Sequence, residues 1–408
     1  MELTSVIKLE CIECGESVDP EGVHYLCANC SGDLEVIYDY DAVKKEWNDS
    51  KIAESAEMSM WRYAPLLPVE PVSLGGLQVG WTPLIESVRL GKELGIPGLY
   101  LKDDTQNPTA SLKDRATAIA LARCEVNGAE IVTCASTGNA ASSLAGLGAA
   151  VGMRVKIFVP EKAPSTKVSQ MLLYGADVYK IKGSYGDAFD LCVKATNEFG
   201  WYNRNSGFNP YMSEGKKTAA YEICEQLNWD VPDVIIVPVG DGCIISGVYK
   251  GLYDLLEIGV IDRLPRLIAV QSEGANSIVE AFEGDGEIKA ANGNTIADGI
   301  AVKMPRDGVK ALRAIKKTNG YAVAVSDEEI LEAVRSLSSK AGIFVEPAAA
   351  ATLAGLRKSL EINVLTKDEK IVLLLTGHGL KAPDAAIGTM KATLIEPDIS
   401  ELRKKEPV

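Results

Sequence analysis

The chain has 408 residues, and its 56 acidic residues outnumber the 42 basic ones, which leaves a formal charge of −14. This excess of negative charge excludes nucleic-acid binding through a broad basic surface. No apolar run reaches the roughly 20 residues that span a bilayer, and the N-terminus lacks a signal-peptide pattern. Because nine cysteines occur without an export signal, we expect a cytoplasmic protein with reduced thiols. The length, the 37 glycines and the 47% of hydrophobic residues are typical of an α/β enzyme with two or three folding units.

The first 40 residues are predicted to form a separate small unit. Two Cys-x2-Cys pairs stand twelve residues apart there, Cys11 with Cys14 and Cys27 with Cys30, and short β-like runs flank each pair. This spacing resembles a zinc ribbon, in which four thiolates complete a tetrahedral structural site. A unit this short needs such a metal in order to fold, so the spacing predicts structural zinc. Two disulfides, or a ribbon that has lost its metal, are the alternatives.

The rest of the chain divides into an arm and two α/β parts. Residues 41–80 are charged and then rich in proline, which predicts a connecting arm with one helix near Ala42–Trp47. Farther along, apolar strands alternate with helices, which is the pattern of a parallel sheet. We assign residues 115–200 to a small α/β subdomain, and residues 81–114 together with 201–408 to a larger domain.

The predicted elements follow from the apolar pattern. Strands are predicted at Leu99–Leu101, Ile131–Ala135, Val155–Val159, Asp177–Ile181, Val234–Val239, Leu267–Gln271 and Ile371–Thr376. Helices are predicted at Ala116–Arg123, Ala140–Val151, Thr166–Tyr174, Gly186–Phe199, Lys217–Gln226, Ile244–Leu256, Asp327–Ala341 and Ala348–Ser359.

One lysine stands in an unusual place, in the stretch Asn107-Pro108-Thr109-Ala110-Ser111-Leu112-Lys113-Asp114-Arg115. Asn-Pro favours a turn, and Ser111 or Thr109 is a candidate helix N-cap, so Lys113 is expected in a first helical turn near a strand end. The field of a helix N-terminus opposes a cation and lowers the pKa of its amine. A lysine that reacts as a free amine needs such a shift. From these residues alone, a solvated lysine on a first turn is the simpler alternative.

Two strand-to-helix turns carry anion-binding features. Ala135-Ser136-Thr137-Gly138-Asn139-Ala140 offers backbone N–H groups and two hydroxyls, which suit the α-carboxylate of an amino acid; ordinary helix capping is the alternative. Gly240-Asp241-Gly242-Cys243-Ile244 lets the backbone close around a phosphate. A Rossmann-type nucleotide site competes with this interpretation, although Ile245 replaces the third glycine of that motif.

The stretch around Lys113 resembles the N-P-T-G-S-F-K-D-R signature of threonine synthases within the fold-type II pyridoxal-phosphate enzymes. Further matches follow in the order of that family. Trp81-Thr82-Pro83-Leu84 resembles its G-x-T-P-L entry strand, and Thr376-Gly377-His378-Gly379-Leu380 resembles its T-G-H-G-L-K segment. The resemblance implies two doubly wound α/β domains of the tryptophan synthase β type, beside the small N-terminal zinc ribbon.

The resemblance also implies roles for single residues. Lys113 would carry pyridoxal 5′-phosphate and act as the catalytic residue, Asn139 would bind its phenolic oxygen, and Thr376 would meet its pyridine nitrogen. A hydroxyl at that nitrogen suits elimination and replacement better than transamination. The phosphate loop would be Gly240, Asp241, Gly242, Cys243 and Ile244. Substrate contacts would come from Ser136, Thr137 and Ala140 for the carboxylate, and from Lys102, Arg204, Asn205 and Lys216 for a substrate phosphate.

The implied reaction is that of a threonine synthase, in which O-phosphohomoserine and water give L-threonine and phosphate, and Lys113 moves the Cα and Cβ protons. Ala110, Leu112 and Ala140 depart from the family's usual Gly, Phe and Thr. The segment 295–302 looks more like the serine/threonine ammonia-lyase branch. An ammonia-lyase, or a phosphoserine-using β-replacement enzyme similar to cysteate synthase, therefore remains an alternative.

A non-catalytic binding protein is disfavoured, because Lys113, Asn139 and Thr376 occur together. We expect a homodimer that acts on a small amino-acid substrate, with no nucleic-acid or membrane partner.

Overall fold

The computed structural model describes residues 5–47, 52, 54–383 and 392–405. The strands, in chain order, are β1 (Val6–Cys11), β2 (Ser17–Val18), β3 (Leu34–Tyr38), β4 (Leu84–Glu86), β5 (Leu99–Asp103), β6 (Ile131–Ala135), β7 (Arg154–Pro160), β8 (Asp177–Ile181), β9 (Tyr202–Asn203), β10 (Val234–Pro238), β11 (Arg266–Ser272), β12 (Tyr321–Val325) and β13 (Ile371–Leu375). They form sheets of three, six and four strands, and the four strands of the small sheet lie in the chain between the fifth and tenth strands, which belong to the six-stranded sheet.

The α-helices are Tyr40–Glu46, Val88–Leu94, Lys113–Val126, Asn139–Val151, Ser165–Leu173, Tyr185–Phe199, Met212–Lys216, Thr218–Gln226, Cys243–Glu257, Ser277–Glu283, Gly308–Lys317, Asp327–Ser336, Pro347–Glu361 and Ile399–Lys405. A π-turn, Leu337–Ala341, prolongs the helix that begins at Asp327. Among the described residues, no helix has both the length and the apolar character needed to cross a membrane.

The N-terminal unit is a three-stranded antiparallel sheet of order β2-β1-β3. Its inner face is apolar: Leu9 pairs with Val36 across β1 and β3, and both side chains are buried. This small face joins the same apolar core as the helix Lys113–Val126. The unit therefore packs against the rest of the chain through a shared core.

The six-stranded sheet has the order β12-β11-β10-β13-β5-β4, with only β4 antiparallel to its neighbour. Every residue of β10 and β13 is buried, because helices cover both faces of a parallel sheet. β13 lies between β10 and β5. The loops that follow these three strands therefore meet at one carboxyl edge, where ligands bind in open α/β sheets.

The four-stranded sheet is parallel and has the order β8-β7-β6-β9. Its last strand is Tyr202–Asn203, in which Asn203 pairs with Thr133. The small sheet thus extends beyond residue 200, where the sequence analysis placed its boundary. A strand of two residues carries too little periodicity to be read from sequence.

Candidate active site

Lys113 opens a helix that runs to Val126, at the carboxyl edge of the six-stranded sheet. The residue as a whole is half-buried, but its amine is enclosed by protein atoms. This desolvation lowers the pKa of the amine to about 8, with Lys216 and then Arg204 adding to the effect. About a tenth of such an amine is uncharged at pH 7, far more than for an ordinary lysine. The position and the direction of the shift match what the sequence predicted, although desolvation, rather than the helix field, is the leading cause.

The other polar residues of the lysine stretch hold its loop in shape. Asp114 accepts hydrogen bonds from the Thr109 backbone N–H at 2.7 Å and from its hydroxyl at 2.5 Å. The Asn107 side chain accepts from the Gly80 N–H at 2.9 Å. Ala110 has a φ of 63°, a left-handed conformation that favours glycine. The family's glycine at this point thus has a backbone reason, and this chain tolerates the strain of alanine.

The loop after β13 is joined to the lysine loop by backbone hydrogen bonds. The Leu112 N–H donates to the Thr376 carbonyl at 3.0 Å, and the His378 N–H donates to the Ala110 carbonyl at 3.1 Å. On its other side, Gly377 accepts from the Glu346 N–H at 3.0 Å. His378 itself caps a turn, since its Nδ1 accepts from the Leu380 N–H at 3.1 Å. Thr376 is therefore placed beside Lys113, and His378 has a structural role.

Three buried cations lie together here without a carboxylate partner. Within the described ranges, neither Lys113, Arg204 nor Lys216 forms a salt bridge, and burial lowers the pKa of each. Arg204 donates to the Lys113 carbonyl at 3.3 Å and to the Ser206 hydroxyl at 3.3 Å. Lys216 donates to the same Ser206 hydroxyl at 3.0 Å. Buried charges are normally paired, so this cluster is a ready site for anions.

The residues present fit pyridoxal phosphate. Side chains cap none of the helix starts at Lys113, Asn139 and Cys243, which leaves first-turn N–H groups for an anion. Gly242 has a φ of 95°, and a Cβ there would lie 2.6 Å from the Asp307 carbonyl oxygen, so only glycine suits this loop. The hydroxyl of Ser111 is buried, and no other described residue forms a hydrogen bond with it.

Hydrogen bonds between the side chains of Asn139 and Glu346 connect the two α/β parts. The Asn139 amide donates to both carboxyl oxygens of Glu346, at 2.9 and 3.0 Å. Burial raises the pKa of Glu346, while the Asn139 amide and the Lys113 amine oppose that rise. Ser136 and Thr137, in the turn before Asn139, are half-buried, and so is Ala140, which follows Asn139. The Ser136 hydroxyl accepts from the Gly138 N–H at 3.2 Å.

The loop Gly240–Ile244 lies where β10 ends, beside the turn that contains Ile300. A Cβ on Gly240 would lie 3.0 Å from the Ile300 Cα. Asp241 accepts from the Arg306 N–H at 3.0 Å through its side chain, and burial raises the pKa of this carboxyl. Burial also raises the pKa of the Cys243 thiol well above its ordinary range, which argues against a nucleophilic role.

Two residues proposed for the substrate phosphate are not available. Lys102 is fully buried, pairs with Glu222 at 2.6 Å, and donates to the Thr82 carbonyl at 2.6 Å. Asn205 accepts from the Ala135 N–H at 2.8 Å, and its amide nitrogen contacts Cys192 Sγ. Both predictions are corrected for one physical reason: the polar atoms are already used to hold the scaffold.

Two residues at the site had no role in the sequence analysis. Lys381 donates to the Ser142 hydroxyl at 2.9 Å, and Asp114 and Glu346 attract its charge. The Ser206 hydroxyl accepts hydrogen bonds from both Arg204 and Lys216. The sequence could have indicated Lys381, because it is the last residue of the segment that begins at Thr376 and resembles T-G-H-G-L-K. Ser206 carried no signal of its own.

The four N-terminal cysteines are brought together. Their Sγ atoms all lie within 4.8 Å of one another; Cys11 and Cys30 are 3.5 Å apart, and Cys14 and Cys27 are 3.6 Å apart. Four sulfurs around zinc at a Zn–S distance of about 2.3 Å would be separated by roughly 3.8 Å. All nine cysteines are free thiols, so the disulfide alternative is not realised here.

Comparisons with known proteins agree with this geometry. A family model described as pyridoxal-phosphate dependent enzyme matches residues 76–377. The threonine synthase of Methanocaldococcus jannaschii is 44% identical over 97% of this chain and 98% of its own length. That of Methanosarcina acetivorans is 40% identical, with the same coverage of both chains. A threonine deaminase from Solanum lycopersicum shares the fold, with a TM-score of 0.65 at 21% identity, over 92% of this chain and 99% of its own.

The predicted fold-type II architecture is thereby confirmed, as is the resemblance on which it rested. Two relatives above 30% identity each cover 97% of the chain. The chain belongs to the threonine synthase family of pyridoxal-phosphate dependent enzymes.

Proposed function

We propose that this enzyme is a threonine synthase, which converts O-phosphohomoserine and water into L-threonine and phosphate. The observation that carries the proposal is the buried cluster of Lys113, Arg204 and Lys216, in which no cation has a carboxylate partner among the described residues. A cofactor phosphate and a substrate phosphate would neutralise such a cluster. An ammonia-lyase acting on serine or threonine has only the first of these anions.

Pyridoxal phosphate, when bound, withdraws electrons from the substrate's α-carbon and so makes its proton removable. Lys113 would hold the cofactor covalently, and Asn139 and Thr376 would hold its ring. The first turn at Gly240–Ile244 would receive its phosphate. Lys216 packs against this helix start, since a Cβ on Gly247 would lie 2.9 Å from the Lys216 Cβ. We therefore assign Lys216 to the cofactor side of the cluster, rather than to the substrate phosphate.

The remaining groups bind the substrate and move its protons. The turn at Ser136, Thr137 and Ala140 would take the α-carboxylate, and Arg204 with Ser206 would take the leaving phosphate. Charge-assisted bonds of this kind contribute about 1.5–3 kcal/mol each. The Lys113 amine, with a pKa lowered to about 8, is suited to accept and return a proton near neutral pH.

Three further assignments belong to this proposal. The cysteine cluster would hold one structural zinc ion, supported by the sulfur separations. Since all nine cysteines are free thiols, a reducing compartment such as the cytoplasm suits the protein. The expected homodimer stays a prediction, which sedimentation analysis of the purified enzyme would test.

One panel assay tests the function. The purified enzyme, loaded with pyridoxal phosphate, is offered O-phosphohomoserine, threonine, serine, and phosphoserine with sulfite. We expect phosphate and threonine from O-phosphohomoserine, at a kcat/KM far above that for the other substrates. Faster formation of 2-oxobutanoate from threonine would replace the proposal by an ammonia-lyase. Faster formation of cysteate would replace it by a β-replacement enzyme.

A further inference from the structure

The stretch of residues 202–216, here named the crossing segment, passes from the small sheet to the large domain. One side of it builds the active site. Arg204 donates to the carbonyl of Lys113 at 3.3 Å, and both Arg204 and Lys216 donate to Ser206. The exact position of this backbone therefore sets where an anion can be held.

The opposite side of the crossing segment rests on the N-terminal cysteine unit. The Asn203 backbone N–H donates to the Tyr25 hydroxyl at 2.7 Å. The Tyr25 ring stacks on Phe208, with ring centroids 4.7 Å apart and planes 22° apart. Asn203 directly precedes Arg204, so this contact adds to the pairing with β6 in holding the backbone one residue before the guanidinium.

Two other aromatic residues extend this contact toward the end of the segment. The Tyr211 hydroxyl donates to the Pro20 carbonyl at 3.4 Å. The Tyr38 hydroxyl donates to the Glu214 carboxylate at 2.6 Å, and both groups are buried. The cysteine unit thus contacts the crossing segment at its start, middle and end.

The unit is itself anchored to both parts of the enzyme. Arg123, in the helix that Lys113 opens, donates to the Gly22 carbonyl at 3.1 Å. Lys310, in the large domain, donates to the Leu34 carbonyl at 3.0 Å, and Arg313 pairs with Glu35 at 2.5 Å. A unit fixed at these points can hold the crossing segment against either domain.

The contacts that matter lie on a loop whose shape depends on the cysteines. Residues 19–25 form no helix or strand, and they carry Pro20, Gly22 and Tyr25. Cys14 and Cys27 bracket this loop, and their sulfurs lie 3.6 Å apart. Closure of the four-sulfur site therefore determines where the Tyr25 hydroxyl stands.

We propose that the N-terminal cysteine unit positions the crossing segment, with Tyr25 as the positioning residue, and that it thereby sets the affinity of the active site for the substrate's phosphate. The inference rests on the proposed function for the identity of that anion. It goes beyond a stabilising role for the unit, because it assigns the unit an effect on ligand affinity.

The test uses the holoenzyme and the variant Tyr25→Phe, which keeps the ring stacked on Phe208 and removes the hydroxyl. Loss of one hydrogen-bond acceptor for Asn203 should raise the KM for O-phosphohomoserine and the Kd for inorganic phosphate by about three- to tenfold. The absorbance of the bound cofactor should not change. In hydrogen–deuterium exchange, peptides from the crossing segment should exchange faster, and peptides from the large sheet should not.

A matched control is Tyr179→Phe. Its hydroxyl also accepts a hydrogen bond, from Lys156 at 2.9 Å, but on β8, outside the cysteine unit. This variant should leave phosphate affinity unchanged. Removal of the metal by a chelator should reproduce the Tyr25→Phe effect on phosphate binding in the wild type, and should add little to it in the variant.

Unchanged phosphate affinity in Tyr25→Phe, with unchanged exchange of the crossing segment, would overturn the positioning role and leave the unit as a stabilising element. If Tyr25→Phe does not fold, the positioning role is tested by removing the metal from the wild type and measuring phosphate affinity and the exchange of the crossing segment. Failure of the proposed function would look different: the wild type would not use O-phosphohomoserine, whereas the phosphate and exchange measurements would still report on positioning.

Discussion

Two buried charge clusters lie near the start of the lysine helix, and they differ in one respect. In the first, Lys102 and Arg115 face Asp104 and Glu222, and every charge has an opposite partner at hydrogen-bond distance. In the second, Arg204 and Lys216 are buried and Lys113 is half-buried with an enclosed amine, yet none of the three has a carboxylate partner among the described residues. Burial alone therefore does not distinguish scaffold from site.

The difference shows what each cluster does. A closed set of ion pairs leaves nothing for a ligand, and it joins the strand β5 to the helix start and to Thr218–Gln226. An unpaired set carries a desolvation cost that an anionic ligand relieves. The lysine stretch contains one member of each cluster, Lys113 and Arg115, only two residues apart.

The comparison predicts its largest effect at Lys113. Lys113→Ala should abolish covalent attachment of the cofactor and lower kcat by roughly 10³-fold or more, because no other amine at this turn can exchange protons with the substrate. Borohydride reduction followed by peptide mapping checks the attachment. Labelling of a different lysine in the wild type would show the assignment to be wrong.

Lys102→Met is the matched control from the paired cluster. It removes one partner of a buried pair while Glu222 keeps Arg115. Such changes cost about 3–5 kcal/mol of stability. We expect a lower denaturation midpoint, with the cofactor still attached at Lys113.

A smaller effect is expected at Arg204, which would bind the leaving phosphate. Arg204→Gln keeps hydrogen-bonding capacity and removes the charge, so KM for O-phosphohomoserine should rise about tenfold or more. The absorbance of the bound cofactor should be kept. Arg263→Gln, at a half-exposed arginine that pairs with Asp233 at 3.1 Å, should leave KM unaltered. A fall in kcat at constant KM would assign Arg204 to the chemical step instead.

The smallest effect concerns pH. In the cofactor-free enzyme, the rate of cofactor attachment should rise with pH and reach half its maximum near pH 8, because the neutral amine of Lys113 reacts and its pKa is lowered to about 8. After burial, Lys216 is the largest contributor to that lowering. Lys216→Gln should therefore move the midpoint to higher pH, whereas exposed Lys180→Gln should not. Stopped-flow absorbance measures both profiles, and a midpoint that stays fixed would exclude the coupling.

The fold could be predicted where β-branched and other apolar residues are concentrated between polar turns. The strands Ile131–Ala135 and Asp177–Ile181 begin and end at the predicted residues. Tyr321–Val325 was missed, because its apolar character is diluted by two alanines and it lies at the edge of the sheet. The helix Gly308–Lys317 was missed because seven of its ten residues are charged or small.

The candidate site was less predictable than the fold. Motif matches located the lysine, the two turns and the loop at Thr376, since each follows a strand of the sequence. They could not distinguish Lys102, which forms an ion pair, from Lys216, which forms none among the described residues. The partner of Lys102 is Glu222, which lies 120 residues farther along the chain. The hydrogen bond between Asn139 and Glu346 also joins residues far apart in the chain, so local patterns could not predict it. Local sequence patterns indicate which residue lies on which helix, strand or turn. Whether a charged side chain forms an ion pair depends on contacts that exist only in the folded protein.

The order of strands along the chain has a consequence for biosynthesis. The register of the large sheet pairs Leu99 with Ile371, whereas the small sheet is complete once Asn203 has left the ribosome. Long-range pairing is slow to form, and domains generally fold as they emerge. We therefore expect the small sheet to fold first, whereas β5 can pair with β13 only after β13 has been synthesised. The lysine loop is held by a hydrogen bond to the Thr376 carbonyl, so a nascent chain should be unable to capture its cofactor until Thr376 has been synthesised.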